Sequence, residues 1–157
     1  FCRKCDRGSK KLSEIPGTGA AGGLGFAFLW GLPNVELKPG IDIVLEAVGL
    51  TNELKDADVV VTGEGCLDFQ TAMGKVPVGV AKTAKNYNCK VIAFAGSVTE
   101  EAKKCNEKGI DAFFSILPGV CSLDEAMDTE TAQKNMRNAA EQVFRLILAL
   151  LKEKCCE

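Results

Sequence analysis

The stretch Val59-Val60-Val61-Thr62-Gly63-Glu64-Gly65-Cys66-Leu67-Asp68-Phe69-Gln70-Thr71-Ala72-Met73-Gly74-Lys75 constrains the fold more than any other part of the chain. A β-branched run stops at a glycine. Two carboxylates, an amide, a hydroxyl and a lysine follow before Pro77 opens an amphipathic run. β-Branched residues suit strands, and proline suits the first turn of a helix. The pattern predicts a strand over 58–62, a polar loop at its carboxyl end, and a helix over 76–86. An open parallel sheet places its ligand at that end of a strand. The start of a helix favours an anion.

The remaining periodicity extends this unit. Residues 90–95 read as a second strand, with Gly96-Ser97 as a tight turn after it. A helix over 99–108 follows, with Thr99 as N-cap and Gly109 past its end. Residues 111–117 read as a third strand, which Asp111 merely opens. Ser122 or Leu123 starts a short helix with Asp124 and Glu125 in its first turn, where they suit the helix dipole. The last helix is expected over 131–152, with Met136, Ala140, Val143, Phe144, Ile147, Leu148 and Leu151 on one face. Upstream, residues 20–32 carry no charge and read as a helix buried on most sides. Residues 41–48 read as a short helix with Asp42 and Glu46 on one face.

Strands alternating with helices imply an α/β fold, a Rossmann-like parallel sheet with helices on both faces. Three clear strands are fewer than the usual four to six, so the sheet is expected to be incomplete. The expected organisation is an irregular lead-in over 1–15, one α/β portion over 16–152, and a tail over 153–157. The start, Phe1-Cys2-Arg3-Lys4-Cys5, is neither an initiator methionine nor a signal peptide, so the residues are expected to begin inside a longer protein.

Composition excludes several function classes. The net charge is −2 and no basic stripe exists, which argues against nucleic acid as a partner. No apolar run reaches the ~18 residues of a membrane span. Cys66, Cys89, Cys105 and Cys121 are scattered through regular elements and read as reduced thiols of a cytoplasmic protein. Cys2-x-x-Cys5 is half of a zinc pattern, but there is no second pair and no histidine. Cys155-Cys156 sits in the tail. The missing histidine also excludes a Ser-His-Asp or Cys-His nucleophilic site within this chain.

Two segments carry candidate chemistry. Gly17-Thr18-Gly19-Ala20-Ala21-Gly22 fits G-x-G-x-x-G, but a dinucleotide site needs a strand immediately before it. Residues 11–16 make a poor strand that ends in Pro16, so a nicotinamide dehydrogenase is a weak reading. The alternatives are a helix start packed closely through its glycines, or a glycine-rich loop lining a substrate or phosphate pocket. The second segment is the loop 62–75. Lys75 and the helix behind it form a plausible phosphate grip. It is not a Walker A loop, because Phe69 stands where glycine is needed and Val76 follows the lysine. Glu64 and Asp68 could hold Mg²⁺ through hard oxygens, or one could accept the proton of an attacking hydroxyl. Gln70 and Thr71 could orient a small polar substrate. Gly63, Gly65 and Gly74 are candidate ligand-lining positions, as are Gly96 and Ser97 through their amides. The bland alternative is that Asp68 and Thr71 cap local turns, Glu64 makes a salt bridge and Lys75 is solvated.

These residues carry a resemblance. Residues 16–25, Pro-Gly-Thr-Gly-Ala-Ala-Gly-Gly-Leu-Gly, resemble the PGAGAAGGLG segment of the bacterial glycerate kinases of type I. Pro39-Gly40-Ile41-Asp42 through Gly49-Leu50 is similar to that family's PGIDIVL…VGL. The loop 62–75 resembles its TGEGRLDxQTxxGKxPxGVA signature, continued through Pro77, Gly79, Val80 and Ala81. The matches keep the family's order and spacing from about Glu14 to the last helix.

The resemblance implies a kinase that transfers the γ-phosphoryl group of ATP to D-glycerate, giving 2-phosphoglycerate in most members, with Mg²⁺ as cofactor. It also implies two α/β domains, of which this chain would be the C-terminal portion. Lys75 would stabilise phosphate charge, and Asp68 or Glu64 would serve as base or Mg²⁺ ligand. The segment 17–25, with Gly17, Gly19, Gly22 and Gly23, would line the cleft near ATP or glycerate. Two departures stand out. The family's GEGR arginine is Cys66 here, which removes a charge-assisted contact worth about 1.5–3 kcal/mol if that arginine binds phosphate or carboxylate. The family's N-terminal strand with its DSFKGS-like loop is absent, so the rest of the kinase is expected to complete the cleft. A reading from another class is a non-catalytic α/β module that binds a small anion or partner. The charge-free helix over 20–32 needs cover, and a homodimer is one option.

Overall fold

The computed structural model describes residues 8–154. They fall into two compact units, divided between Val48 and Gly49. Cys2, Cys5, Cys155 and Cys156 lie outside the described residues.

The first unit holds helices α1 (Gly8–Ser13), α2 (Ala20–Gly31) and α3 (Gly40–Ala47). α1 occupies part of the stretch expected to be irregular. What precedes the glycine motif is therefore a helix and a turn, which removes the strand a dinucleotide fingerprint requires. The motif does not start α2 as a regular helix. Ala21, Gly22 and Gly23 are all left-handed, with φ of 49°, 70° and 99°. Two of the three lack a Cβ and adopt this freely, while Ala21 is strained by about 1–2 kcal/mol. Only Gly25 and Phe26 of α2 are buried. Trp30 is 61% exposed, and Leu24, Phe28 and Leu32 are also exposed, so the expectation of a helix buried on most sides fails. Three short helices present too little surface to enclose it.

The second unit is a three-stranded parallel sheet of order β1 (Val59–Leu67), β2 (Lys90–Val98), β3 (Ala112–Ser115). Ahead of β1 lie α4 (Leu50–Glu53) and a 3₁₀ turn, Leu54–Asp56. Between β1 and β2 run α5 (Phe69–Ala72) and α6 (Val76–Lys85). A 3₁₀-wound segment, Glu100–Lys108, joins β2 to β3, and α7 (Leu123–Met127) and α8 (Thr129–Lys154) follow. Ser122 caps α7 reciprocally with Glu125.

The pleat sends alternate residues to opposite faces. Val60, Val91, Ala93 and Ala95 pack with Val78, Ala81 and Ala84 of α6 and with Ala102 and Cys105. On the other face Ile92 and Phe94 pack against Ala139, Ala140, Val143 and Ile147 of α8. Each fully buried Val, Leu or Ile contributes about 1.5–3 kcal/mol. The face of α8 is narrower than its periodicity predicts: Phe144, Leu148 and Leu151 are exposed. The expected α/β architecture with helices on both sheet faces holds for this unit.

Two strands end later than expected, and glycine is the reason. A Cβ on Gly63 would lie 2.3 Å from the Phe94 carbonyl oxygen, and one on Gly96 would lie 2.8 Å from that of Gly65. These residues let the backbones of β1 and β2 approach, so pairing continues through Glu64↔Ala95 and Cys66↔Ser97 to Leu67↔Val98. Gly96-Ser97 is therefore strand and not turn. Asp111 does more than open a strand. Its carboxylate accepts from the Val91 amide at 2.6 Å and from the Lys85 ammonium, tying β2 and α6 to the approach to β3.

Candidate active site at the carboxyl end of β1

The polar loop is shorter than the sequence suggests, because β1 carries Glu64 and Cys66 on the same face as Val60. Only Asp68 separates β1 from α5. Asp68 is extended, and its carboxylate accepts the Thr71 amide at 2.9 Å. The Asp68 amide in turn donates to the Thr71 hydroxyl at 3.3 Å. This capping box is the local reason that four residues hold a helical turn. Gly74 (φ 117°) then reverses the chain, a conformation that glycine adopts without cost, and places Lys75 as N-cap of α6.

Four predicted site residues meet here. The Thr71 hydroxyl donates to Glu64 Oε1 and lies 3.2 Å from Asp68 Oδ1. Lys75 Nζ sits 3.8 Å from Asp68 Oδ1. The Thr71 amide holds the Asp68 carboxyl below the usual carboxylate range; burial opposes this, while the Lys75 charge and the Thr71 hydroxyl reinforce it. Asp68 is thus ionised at neutral pH. Burial pushes the Cys105 thiol up, and the negative charges of Glu64 and Asp68 push it further. Cys105 and Glu101, both on the 3₁₀-wound segment, feel the Asp68 charge. Neither was foreseen. In a parallel sheet, however, the segment after β2 starts at the same edge as the loop after β1, and that signal points to Glu101.

The other predicted residues divide. Thr71 is fully buried, with 0% exposure, so it cannot touch a substrate directly, whereas Gln70 is exposed on α5. Gly65 and Cys66 lie beside Gly96 and Ser97 in the sheet, and Ser97 is exposed. The start of α6 offers few free amides: Pro77 has none, and the Val78 and Gly79 amides are spent on the Lys75 carbonyl at 3.1 and 3.0 Å. Charge at this helix start comes from Lys75 and the helix dipole more than from open N–H groups. The capping role offered as the bland alternative is real, and it coexists with the convergence of the two carboxylates. Gly17, Gly19, Gly22 and Gly23 lie in the first unit. Gly19, Gly22 and Gly23 line a cavity of about 600 Å³ there, with Thr18, Ala21 and Phe26. Thr18 is buried and donates its hydroxyl to the Ile15 carbonyl at 2.8 Å, so it supports the wall of that cavity.

Among the described residues no group of three or more Cys, Asp or Glu converges as a metal cage. Two carboxylates suffice for Mg²⁺, which is usually held by one or two carboxylates together with substrate phosphates. The oxygen donors of Glu64 and Asp68 fit that ion. Among the described residues no helix is long and apolar enough to cross a membrane.

Comparison with known proteins agrees with the motifs. Residues 2–148 match the Glycerate kinase family. The chain is 52% identical over 118 residues to the glycerate kinase of Halalkalibacterium halodurans, which covers 75% of this chain and 31% of the relative. It is 47% identical over 115 residues to the glycerate 2-kinase of Escherichia coli K12, covering 73% and 30%. A solved structure from Salmonella typhimurium LT2, described as a glycerate kinase 2, superposes with a TM-score of 0.62 at 44% identity, over 85% of this chain and 33% of that one. The chain spans about a third of the length of the curated relatives it matches. On the family match and these identities, the chain belongs to the glycerate kinase family.

Proposed function

We propose that this chain supplies one wall of the cleft in which a kinase transfers the γ-phosphoryl group of ATP to D-glycerate, giving 2-phosphoglycerate. The observation that carries this reading is the meeting of Glu64, Asp68 and Lys75 at the carboxyl end of β1, inside a glycerate kinase family sequence. Phosphoryl transfer needs positioning and charge balance more than a strong base. Asp68, held ionised, suits an acceptor hydroxyl or Mg²⁺ better than it suits outright proton abstraction. Lys75 meets the charge that develops on the transferring phosphoryl group. Mg²⁺, held by Glu64 and Asp68, would neutralise the phosphates of the bound nucleotide. The E. coli relative's name, glycerate 2-kinase, supports the 2-hydroxyl as acceptor. The glycine cavity of the first unit supports a second ligand-lining surface. The free thiols Cys66, Cys89, Cys105 and Cys121 support a reducing, cytoplasmic setting.

The test is to mix the complete protein with ATP, Mg²⁺ and D-glycerate and follow ADP release, with the product identified by phosphorus NMR. Glycerate-dependent ADP and a 2-phosphoglycerate signal are expected. Glycerate or ATP bound by calorimetry without ADP release would replace the kinase with a binding module.

A further inference from the structure

We propose that Thr71 is a positioning residue: its buried hydroxyl ties Glu64 of β1 to Asp68 ahead of α5 and so sets the spacing of the two carboxylates. The inference rests on the kinase reading of the site.

The geometry separates Thr71 from its neighbours in the signature. Gln70 is exposed, while Thr71 has no exposed surface at all. Its hydroxyl oxygen accepts from the Asp68 amide at 3.3 Å, donates to Glu64 Oε1 and stands 3.2 Å from Asp68 Oδ1. A hydroxyl has one proton and two lone pairs. That proton can serve only one carboxylate at a time, so the hydroxyl is the joint through which the two acids sense each other. A cap alone needs only the Asp68 carboxylate and the Thr71 amide, which are joined at 2.9 Å. The bond to Glu64 adds nothing to the cap, because Glu64 belongs to a different element, seven residues away. Its consequence is to hold a strand carboxylate and a loop carboxylate at one point. Two carboxylates close together repel, and the hydroxyl holds them by accepting from the Asp68 amide while donating to Glu64, without supplying a charge that would compete with a metal or phosphate. Lys75, ahead of α6, lies 3.8 Å from Asp68 Oδ1, and Glu101 and Cys105 of the 3₁₀-wound segment feel the Asp68 charge.

The test compares Thr71→Val, which keeps shape and loses the hydroxyl, with Thr71→Ser, which keeps the hydroxyl. Both are made in the complete enzyme. Thr71→Val is expected to lower kcat at least 100-fold, with KM for ATP and glycerate within about threefold. Thr71→Ser should restore kcat to within about threefold. A crystal structure of each variant gives a readout independent of turnover: the Glu64 and Asp68 carboxylates should move apart in Thr71→Val and keep their wild-type spacing in Thr71→Ser. If Thr71→Val does not fold, Thr71→Ser and Thr71→Cys are compared, because the thiol is close in shape and a poor donor. Equal kcat for that pair, or wild-type kcat in Thr71→Val, overturns the inference while leaving the kinase reading intact. Absence of glycerate-dependent ADP in the wild-type enzyme defeats the kinase reading, and the carboxylate spacing in the Thr71→Val structure still decides whether Thr71 positions the acids.

Discussion

Replacing Gly63 by alanine tests the strand extension on which the site depends. An alanine Cβ at Gly63 would sit 2.3 Å from the Phe94 carbonyl oxygen, about 0.7 Å inside the closest approach such atoms make. That oxygen belongs to the backbone of β2, whose neighbours Ala93 and Ala95 are buried, so it cannot swing aside. The strands must part locally. The penalty combines overpacking, about 1–3 kcal/mol, with a weakened ladder hydrogen bond of about 1 kcal/mol. A gain of about 0.4–1 kcal/mol from the stiffer unfolded chain offsets part of it. The net expectation for Gly63→Ala is a loss of about 2–3 kcal/mol, or roughly 10 °C in Tm for a unit of this size. Gly65 is the internal control. It lies two residues further along the same strand, and a Cβ there meets nothing within 4 Å. Gly65→Ala should be neutral or stabilising by less than about 1 kcal/mol. Urea and thermal melts followed by far-UV circular dichroism give both values. Equal stability for the two variants would refute the close approach of β1 and β2 at Gly63, and with it the reason that β1 reaches Leu67.

Other expectations follow from the same contacts. Asp68→Asn should lower turnover of the complete enzyme by orders of magnitude while leaving Tm nearly unchanged, because asparagine caps a helix as well as aspartate does; near-wild-type ADP release would remove Asp68 from the chemistry. Partial burial pushes the Asp111 carboxyl up, but its bonds from Lys85 and the Val91 amide and the charges of Lys85 and Lys90 outweigh this and hold it below its ordinary value of 3.8. A depressed folded pKa gives stability that is full above the unfolded pKa and is lost as pH falls through the folded one. Urea melts of wild type and Asp111→Asn should therefore differ most near neutrality and converge below about pH 4; a constant difference down to pH 2 would contradict the pairing. Thiol labelling read by mass spectrometry should modify the exposed Cys121 rapidly, and Cys89 and Cys105 only when the protein is unfolded. Fast labelling of folded Cys105 would mean that the 3₁₀-wound segment does not seal the site.

Local chemistry was enough to read much of this chain. Val59 to Val61 and residues 91–95 announced strands through β-branched and apolar runs, and Pro77, Ser122 and Gly109 marked helix boundaries that the structure keeps. The same residues, taken in order, carried the family. Each of these signals depends on neighbours within a few positions, so a linear pattern contains it.

What the pattern could not show depends on atoms far away along the chain. Gly63 and Gly96 looked like loop residues until the opposing carbonyls of Phe94 and Gly65 explained why a side chain is excluded there. Asp111 looked like a strand's first residue until its partners, Val91 and Lys85, were found 20 and 26 positions upstream. Thr71 looked like a substrate contact because a hydroxyl in a polar loop is chemically suited to that task. Its burial was decided by the packing of α5 beneath Glu100–Lys108, a contact between elements about thirty residues apart. Residue types along the chain set which groups could act at the end of β1. Which of them face a ligand and which hold the others in place is a matter of burial, and burial is settled only when distant segments compete for the same space.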